Sequence, residues 1–314
     1  MSLADLLAWI AALWFISAGI RWRRDVVQQR RNRARELGHK GVGELPPFQA
    51  PTRRLVLTAV WIGGVYFTQP SPIAWVLAGF PPISWAALEA AARWSLKRGH
   101  YAASLRLLGV LLFVAPDSAR LVLRRGEILF AAGRLAEADI ALRKALAQAH
   151  RQGHQVRALE CLARVLTVKG RYEDAEQAVA TALKVMPRRS GLHAARAETL
   201  LWQAARPEEA LTLVNRAIDY ESKTRHQAGP NFFATNWAAQ AWALALLGRR
   251  DAMEEAVRRA LQATDESERP QLAGVHYRLG RAHRAAGEEM AAAKSFETAR
   301  SADPAGLYGR LAAG

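Results

Sequence analysis

The sequence predicts an all-α chain in which N-terminal membrane-anchoring helices precede an α-solenoid of about six helix hairpins. Two observations support this prediction. Within the first 80 residues, two long stretches contain no charged side chain. From residue 85 onward, glycines and small residues recur in one frame at spacings of 34 to 43 residues, which is the range of periods typical of helical solenoids.

The first uncharged stretch, residues 6–20, predicts a transmembrane anchor over residues 1–20. It is followed at once by the basic sequence RWRRD, and residues 1–5 extend it toward the length of about 20 residues that a span needs. Asp5 precedes it and the positive charge follows it, which is not the order of a secretory signal. We therefore expect an uncleaved, integral anchor. A buried amphipathic helix of a soluble protein is the alternative.

Residues 21–54 are predicted to form a basic linker on the cytoplasmic side, since they contain ten Lys or Arg and three acidic residues. Residues 55–80 carry no charge but contain QPSP in the middle. They predict either a second transmembrane span or a re-entrant hairpin. A single span puts the repeats on the extracytoplasmic side of a bacterial inner membrane, whereas a hairpin keeps them in the cytoplasm. The bacterial origin is inferred from Ala-rich composition and a predominance of Arg over Lys.

Residues 81–314 are predicted to form the solenoid. The frame consists of a turn glycine, a small residue five positions later, an apolar residue four positions after that, and a small residue three further on. Such a pattern predicts two helices that approach closely around a tight turn. The small-residue anchors are Ser104, Ala138, Ala175, Ala210, Met253 and Ala292. The turn positions are Gly99, Gly133, Gly170, Ala205, Gly248 and Gly287.

This frame resembles the tetratricopeptide repeat (TPR). The last unit is similar in most detail, because Gly280, Gly287, Ala292, Phe296 and Ala299 are all in place. The fourth unit departs from the family pattern, with Glu198 where a small residue is usual. The resemblance covers about two thirds of the chain and implies a platform for protein–protein interaction.

The resemblance implies that the first helix of each hairpin lines a concave groove, and that groove is predicted to be basic with two tryptophans. Arginine suits paired hydrogen bonds to carboxylates and phosphates. A solvated face of a basic protein is the alternative. The predicted groove residues are Arg93, Lys97, Arg124, Arg157, Arg164, Arg196, Trp202, Trp242, Arg278 and Arg281. An insertion at residues 222–233 predicts a loop that caps the groove, or a lengthened connector.

The sequence contains no constellation typical of an enzyme, and we expect no cofactor and no metal. His150, His154 and Cys161 share a helical face but are a weak ligand set. We therefore expect a membrane-anchored scaffold that binds a protein or peptide partner with acidic groups, in assembly or maintenance of an envelope complex. Besides that partner, only membrane lipid is expected. The alternative, a nucleic-acid-associated repeat protein, has only the net charge of +16 in its favour, so no nucleic-acid partner is expected.

The anchor leads to a first prediction. Full-length protein should stay in the membrane pellet after extraction at alkaline pH with carbonate, because the apolar stretch is held by the hydrocarbon core rather than by charge. Removal of residues 1–80 should release the remainder into the supernatant. Release of the full-length chain by carbonate would contradict the predicted anchor.

Overall fold

The computed structural model describes residues 81–223 and 230–314, and these residues contain thirteen α-helices and no β-strand. The helices are α1 (Pro81–Lys97), α2 (Tyr101–Val114), α3 (Ala119–Ala131), α4 (Leu135–Gln148), α5 (Gln152–Val168), α6 (Tyr172–Val185), α7 (Ser190–Trp202), α8 (Pro207–Lys223), α9 (Pro230–Leu246), α10 (Arg250–Gln262), α11 (Arg269–Ala285), α12 (Glu289–Ala302) and α13 (Leu307–Leu311).

The chain divides into two compact units, Met1–Ser84 and Trp85–Gly314. The predicted anchor, the basic linker and the segment 55–80 all lie outside the described residues. Among the helices that are described, none has the length and apolar character needed to cross a membrane.

The first twelve helices form six successive hairpins, α1–α2 to α11–α12, which confirms the predicted repeat solenoid. Each hairpin also packs against the next, and the first helices α3, α5, α7, α9 and α11 contact one another in order. Buried Ala, Leu and Val side chains from every hairpin form the core. α13 follows the sixth hairpin and packs against α11 and α12.

The turn between the two helices of a hairpin is set by one residue with positive φ. In five hairpins that residue is the predicted glycine, with φ between 65° and 77°. At Gly133, the backbone N–H donates to the carbonyl of Phe130 (2.8 Å) and that of Arg134 donates to Leu129 (2.9 Å). This pair of bonds satisfies the last carbonyls of α3 and is the Schellman arrangement that favours glycine. The turn glycines therefore end the first helix at a fixed point.

The fourth hairpin corrects the predicted frame. Its left-handed turn residue is Ala204 (φ 50°), not Ala205, and Arg206 (φ 52°) adds a second positive φ before α8 begins. The turn is one residue longer, so the small contact residue seven positions before it is Ala197 rather than Glu198. Ala197 is buried in the helix contact, and Glu198 is rotated onto the next face.

Close helix contacts need the small residues, as predicted. A methyl group added to Gly280 would lie 2.6 Å from the ring of Phe296, and one added to Gly126 would lie 2.6 Å from Leu142 Cδ2. The six anchor residues are all buried. Large side chains from the second helix therefore fill space that the first helix leaves free.

The last hairpin also contacts the first two. The Tyr101 hydroxyl donates a hydrogen bond to Asp303, Arg310 of α13 donates to the carbonyl of Ala132, and Lys97 pairs with Glu268. α13 lies against α3. The concave faces of the hairpins therefore surround a central cavity.

Two reciprocal substitutions test the role of the turn residue. Ala204→Gly should raise the free energy of unfolding by about 1 kcal/mol, because alanine in the left-handed region costs roughly 1–2 kcal/mol, only partly offset by glycine's greater freedom when unfolded. Gly170→Ala should lower it by about 1 kcal/mol for the same reason. At Gly170 a methyl group would meet no heavy atom within 4 Å, so packing does not obscure the effect. Denaturant unfolding measures both free energies. If the free energy of unfolding changed in the same direction in both variants, this account would be contradicted.

Candidate functional site

The central cavity has a volume of about 1000 Å³ and is lined by residues from all six hairpins and α13. The first helix of each hairpin contributes to its wall, together with the turn between α6 and α7. Eight basic and six acidic side chains line it. The wall is therefore charged, with a small excess of positive charge, rather than uniformly basic.

Glu160 is the centre of the charged wall. Its carboxylate, only 1% exposed, accepts from Arg157 Nη1 (3.0 Å) and Arg189 Nε (3.0 Å) and lies 3.6 Å from Arg164 Nη2. Burial alone would raise the pKa of Glu160, but the three guanidinium groups outweigh burial and hold the pKa below its ordinary value. Gly191 makes room, since a methyl group there would come within 2.5 Å of Glu160 Oε1. Glu160 is therefore ionised at neutral pH.

Glu127 extends the network toward the second hairpin. It accepts from Arg124 Nη1 and from Arg157 Nε, each at 2.9 Å, and lies 3.7 Å from Cys161 Sγ. Burial raises the pKa of the Cys161 thiol to about 12. The thiol is therefore protonated at neutral pH and has little nucleophilic character.

Glu198 connects the charged wall to the C-terminal helices α11 and α13. It pairs with the buried Arg278, which also donates to the Gly274 carbonyl (2.7 Å) and to the Tyr308 hydroxyl (2.8 Å). Burial would raise the pKa of Glu198, but Arg278 and then Arg164 hold it below its ordinary value. Burial raises the pKa of the Tyr308 hydroxyl to about 12. The extra residue in the fourth turn is what directs Glu198 into this cluster.

Three cavity arginines are not fully matched by acidic groups. The Nε of Arg164 is buried and has no hydrogen-bond partner. Arg93 and Arg188 line the cavity, are exposed, and make no ion pair with any residue in the described part of the chain. Arg93 and Arg188 are exposed cations of this wall, and arginine donors of this kind suit a carboxylate or a phosphate.

Comparisons with known proteins show similarity of structure only. No protein-family model matches the sequence, and no curated protein matches it. A solved tetratricopeptide repeat protein from Parabacteroides merdae has a TM-score of 0.50 at 14% identity, over 79% of this chain and 86% of that one. Residues 85–314 have the tetratricopeptide-repeat fold. The predicted resemblance is thereby confirmed, and we call these residues the TPR domain.

Two further structures share the fold with the TPR domain. A chain of the APC/C hetero-tetramer Cut9-Hcn1 matches with a TM-score of 0.52 at 12% identity, over 83% of this chain and 52% of that one. The human IFIT1 dimer with m7Gppp-AAAA matches with a TM-score of 0.51 at 15% identity, over 96% of this chain and 70% of that one.

The TPR domain brings six of the ten predicted groove residues to the cavity wall: Arg93, Lys97, Arg124, Arg157, Arg164 and Arg278. The other four lie elsewhere. Arg196 pairs with Glu209 (2.9 Å), because the longer fourth turn rotates α7 relative to the predicted frame. Trp242 is buried in the core, Trp202 stacks on Tyr277, and Arg281 lies 4.7 Å from the Trp242 ring. Arg196 thus pairs within the fourth hairpin, and the other three belong to the packing between hairpins.

Sequence reasoning missed several cavity residues. Arg188 and Arg189 lie in the turn before α7, and the run PRRS at 187–190 was the only local signal for them. The predicted insertion loop is in part helical, since Pro230 to Phe233 begin α9 and Phe232 lines the cavity. Within the described residues, no group of three or more His, Cys, Asp or Glu side chains could hold a metal ion.

The buried carboxylate predicts a pH-dependent stability. The folded-state pKa of Glu160 is lowered, so its contribution is present above the unfolded pKa and is lost as pH falls through the folded pKa. Glu160→Gln should reduce the free energy of unfolding at neutral pH by about 3 kcal/mol, because it leaves three arginines without their shared partner. The variant should also lose less stability than wild type when the pH is lowered from 6 to 3.

Denaturant unfolding of the purified full-length protein at several pH values measures both effects. Glu173→Gln, at an exposed site on α6, is the matched control and should leave the pH dependence unchanged. A Glu160→Gln variant with the wild-type pH dependence would show that Glu160 is not held ionised by its arginines.

Proposed function

We propose that the protein is a membrane-anchored TPR scaffold that binds an acidic segment of a protein partner in its central cavity, in assembly or maintenance of an envelope complex. The membrane part of the proposal rests on the uncharged stretches 6–20 and 55–80 and on the basic residues between them. We place the TPR domain on the extracytoplasmic side of a bacterial inner membrane. The 26 uncharged residues at 55–80 are more than one span needs, so the prolines can lie near one end of a single span.

The observation that supports the binding role is the unmatched positive charge on the cavity wall. The network of Glu127, Glu160 and Glu198 holds most cavity arginines in fixed positions, so little side-chain entropy is lost when a ligand binds them. Arg93 and Arg188, which are exposed and make no ion pair with any described residue, then offer their donors to a ligand. Side-chain or C-terminal carboxylates of a peptide match these planar donors.

The cavity also has apolar wall segments beside its charges. Phe130, Met186, Phe232 and Leu307 line it together with the arginines. A volume of about 1000 Å³ lies at the upper limit of small-ligand sites, and it suits a short extended peptide. An acidic peptide with interspersed apolar residues therefore fits the wall better than a purely ionic ligand.

Binding of nucleic acid is the second candidate. The net charge of +16 favours it, and phosphates would satisfy the same arginines. The IFIT1 dimer, whose structure contains m7Gppp-AAAA, shares the fold at only 15% identity. The six carboxylates on the cavity wall repel phosphates and peptide carboxylates alike, so they do not distinguish the two candidates.

The test is fluorescence anisotropy of the full-length protein with three labelled probes: a decapeptide of glutamate, a decapeptide of glutamine and a single-stranded RNA decamer. We expect the glutamate peptide to bind at physiological salt and the glutamine peptide not to bind. Arg188→Glu should weaken binding of the glutamate peptide roughly tenfold or more, because it removes an unpaired cation and adds a repelling charge.

Arg216→Glu is the matched control, since it makes the same charge change on the exposed surface of α8. It should change the affinity by less than about threefold, because exposed charges are screened by salt. Equal losses in both variants would indicate a general effect of net charge and not a cavity site. Binding of the RNA decamer without the glutamate peptide would favour the second candidate instead.

A further inference from the structure

The outward surface of α2 differs from that of every later second helix. In each hairpin, six equivalent positions of the second helix face outward, at −2, −1, +2, +5, +6 and +9 from the anchor. In α2 all six are exposed, and they are Ala102, Ala103, Arg106, Gly109, Val110 and Phe113. This set, which we call the α2 face, contains one charged residue and no acidic one. Val110 is 53% exposed and Phe113 is 78% exposed.

The same six positions in the later helices carry more charge. In α4, α6, α8, α10 and α12 each set contains between two and four charged residues, including at least one acidic residue. In α6 the set is Glu173, Asp174, Gln177, Ala180, Thr181 and Lys184. The apolar character of the α2 face is therefore not a property of the fold. Exposed large apolar residues occur singly at these positions in α4 (Ile140) and in α12 (Met290), whereas α2 has two, Val110 and Phe113.

The cation on the α2 face is unpaired. Arg106 makes no ion pair with any described residue and has no carboxylate three or four positions away, whereas several cations on later second helices do have one. Examples are Arg143 with Asp139 (2.6 Å) and Arg259 with Glu255 (2.7 Å). An apolar protein surface against the α2 face would bury the Arg106 charge without a partner, which is costly. A surface with an apolar interior beneath a layer of anionic groups would accept both the apolar side chains and the cation.

A second feature of the first hairpin fits such a surface. Trp94 of α1 is 56% exposed, with the Arg98 guanidinium 5.0 Å from its ring. The equivalent residues of the five later hairpins are all buried: Ile128, Val165, Thr199, Ala243 and Ala282. Tryptophan and arginine are enriched where membranes meet water. The first hairpin therefore exposes the residue types typical of a lipid interface.

The place of the first hairpin in the chain points to the same surface. The uncharged segment 55–80 ends at Phe80, and α1 begins at the next residue. If that segment is in the membrane, then only α1 separates it from α2. α1 has 17 residues and is roughly 25 Å long. No later hairpin is as close in sequence to the predicted membrane segments.

We propose that the α2 face lies on an anionic lipid bilayer, with Val110 and Phe113 among the acyl chains and Arg106 at the phosphate groups. This inference rests on the proposed membrane anchoring of the chain. It adds a second, peripheral contact with lipid made by the TPR domain itself. Binding of the acidic ligand in the cavity does not depend on it.

The test uses the full-length protein in vesicles of phosphatidylcholine and phosphatidylglycerol, with Cys161 replaced by Ala. One cysteine is introduced at Gly109, where an added side chain meets no heavy atom within 4 Å, and is labelled with an environment-sensitive fluorophore. Ala180→Cys, at the equivalent exposed position of α6, is the matched control. Lipids that carry a nitroxide on the acyl chain then report whether each label touches the bilayer.

We expect several-fold stronger quenching of the label at residue 109 than at residue 180. Phe113→Glu should reduce the quenching at residue 109 and leave that at residue 180 unchanged. Protein that floats with the vesicles but shows equal, weak quenching at both sites would overturn the inference and leave the anchor intact. Blue-shifted emission from the label at residue 109 without lipid quenching would mean that protein covers the α2 face. That result would also overturn the inference. Protein that does not float with the vesicles would overturn the anchor and the inference together.

Discussion

The left-handed residue between the two helices of each hairpin is the constraint on which the rest of the TPR domain depends. It ends the first helix at a defined point, so the residue seven positions earlier lies in the helix contact and must be small. The next residue along that helix then points to a different side. In the fourth hairpin the turn is one residue longer, and Ala197 takes the contact position. That shift directs Glu198 toward Arg278 and leaves Arg196 on the outside.

The charged wall of the cavity depends in turn on contacts between distant hairpins. Arg278 and Glu198 are 80 residues apart in the chain, and Tyr101 and Asp303 are 202 residues apart. Burial raises the pKa of the Asp303 carboxyl, and the hydrogen bond from Tyr101 only partly opposes this. Neither contact would form in an isolated hairpin. The closed cavity is therefore a property of the whole set of hairpins, and Arg278 is held in position only when the sixth hairpin meets the fourth.

This dependence explains which features could be predicted from sequence. The hairpins could be predicted, because a turn glycine, a small residue and an apolar residue all act within about 20 residues of one another. Six of the ten groove residues could also be placed, because the first helix of each hairpin lines the cavity, as the resemblance implies. The four that were misplaced lie in α7, α9 and α11, where one inserted turn residue and aromatic packing change what each face touches. Arg189 could not be identified, since its partner Glu160 lies 29 residues away on another hairpin.

The two proposed surfaces lie on one structural element. α1 supplies Arg93 and Lys97 to the cavity, and α2 supplies the apolar face on its outward side. These helices are joined by the Gly99 turn and by the hydrogen bond from Ser104 Oγ to the Ala92 carbonyl (2.8 Å). Tyr101, at the start of α2, also makes the closing contact with Asp303. A bilayer against α2 would therefore hold the hairpin that completes the cavity, and it would fix the orientation in which a partner's acidic segment meets the membrane surface.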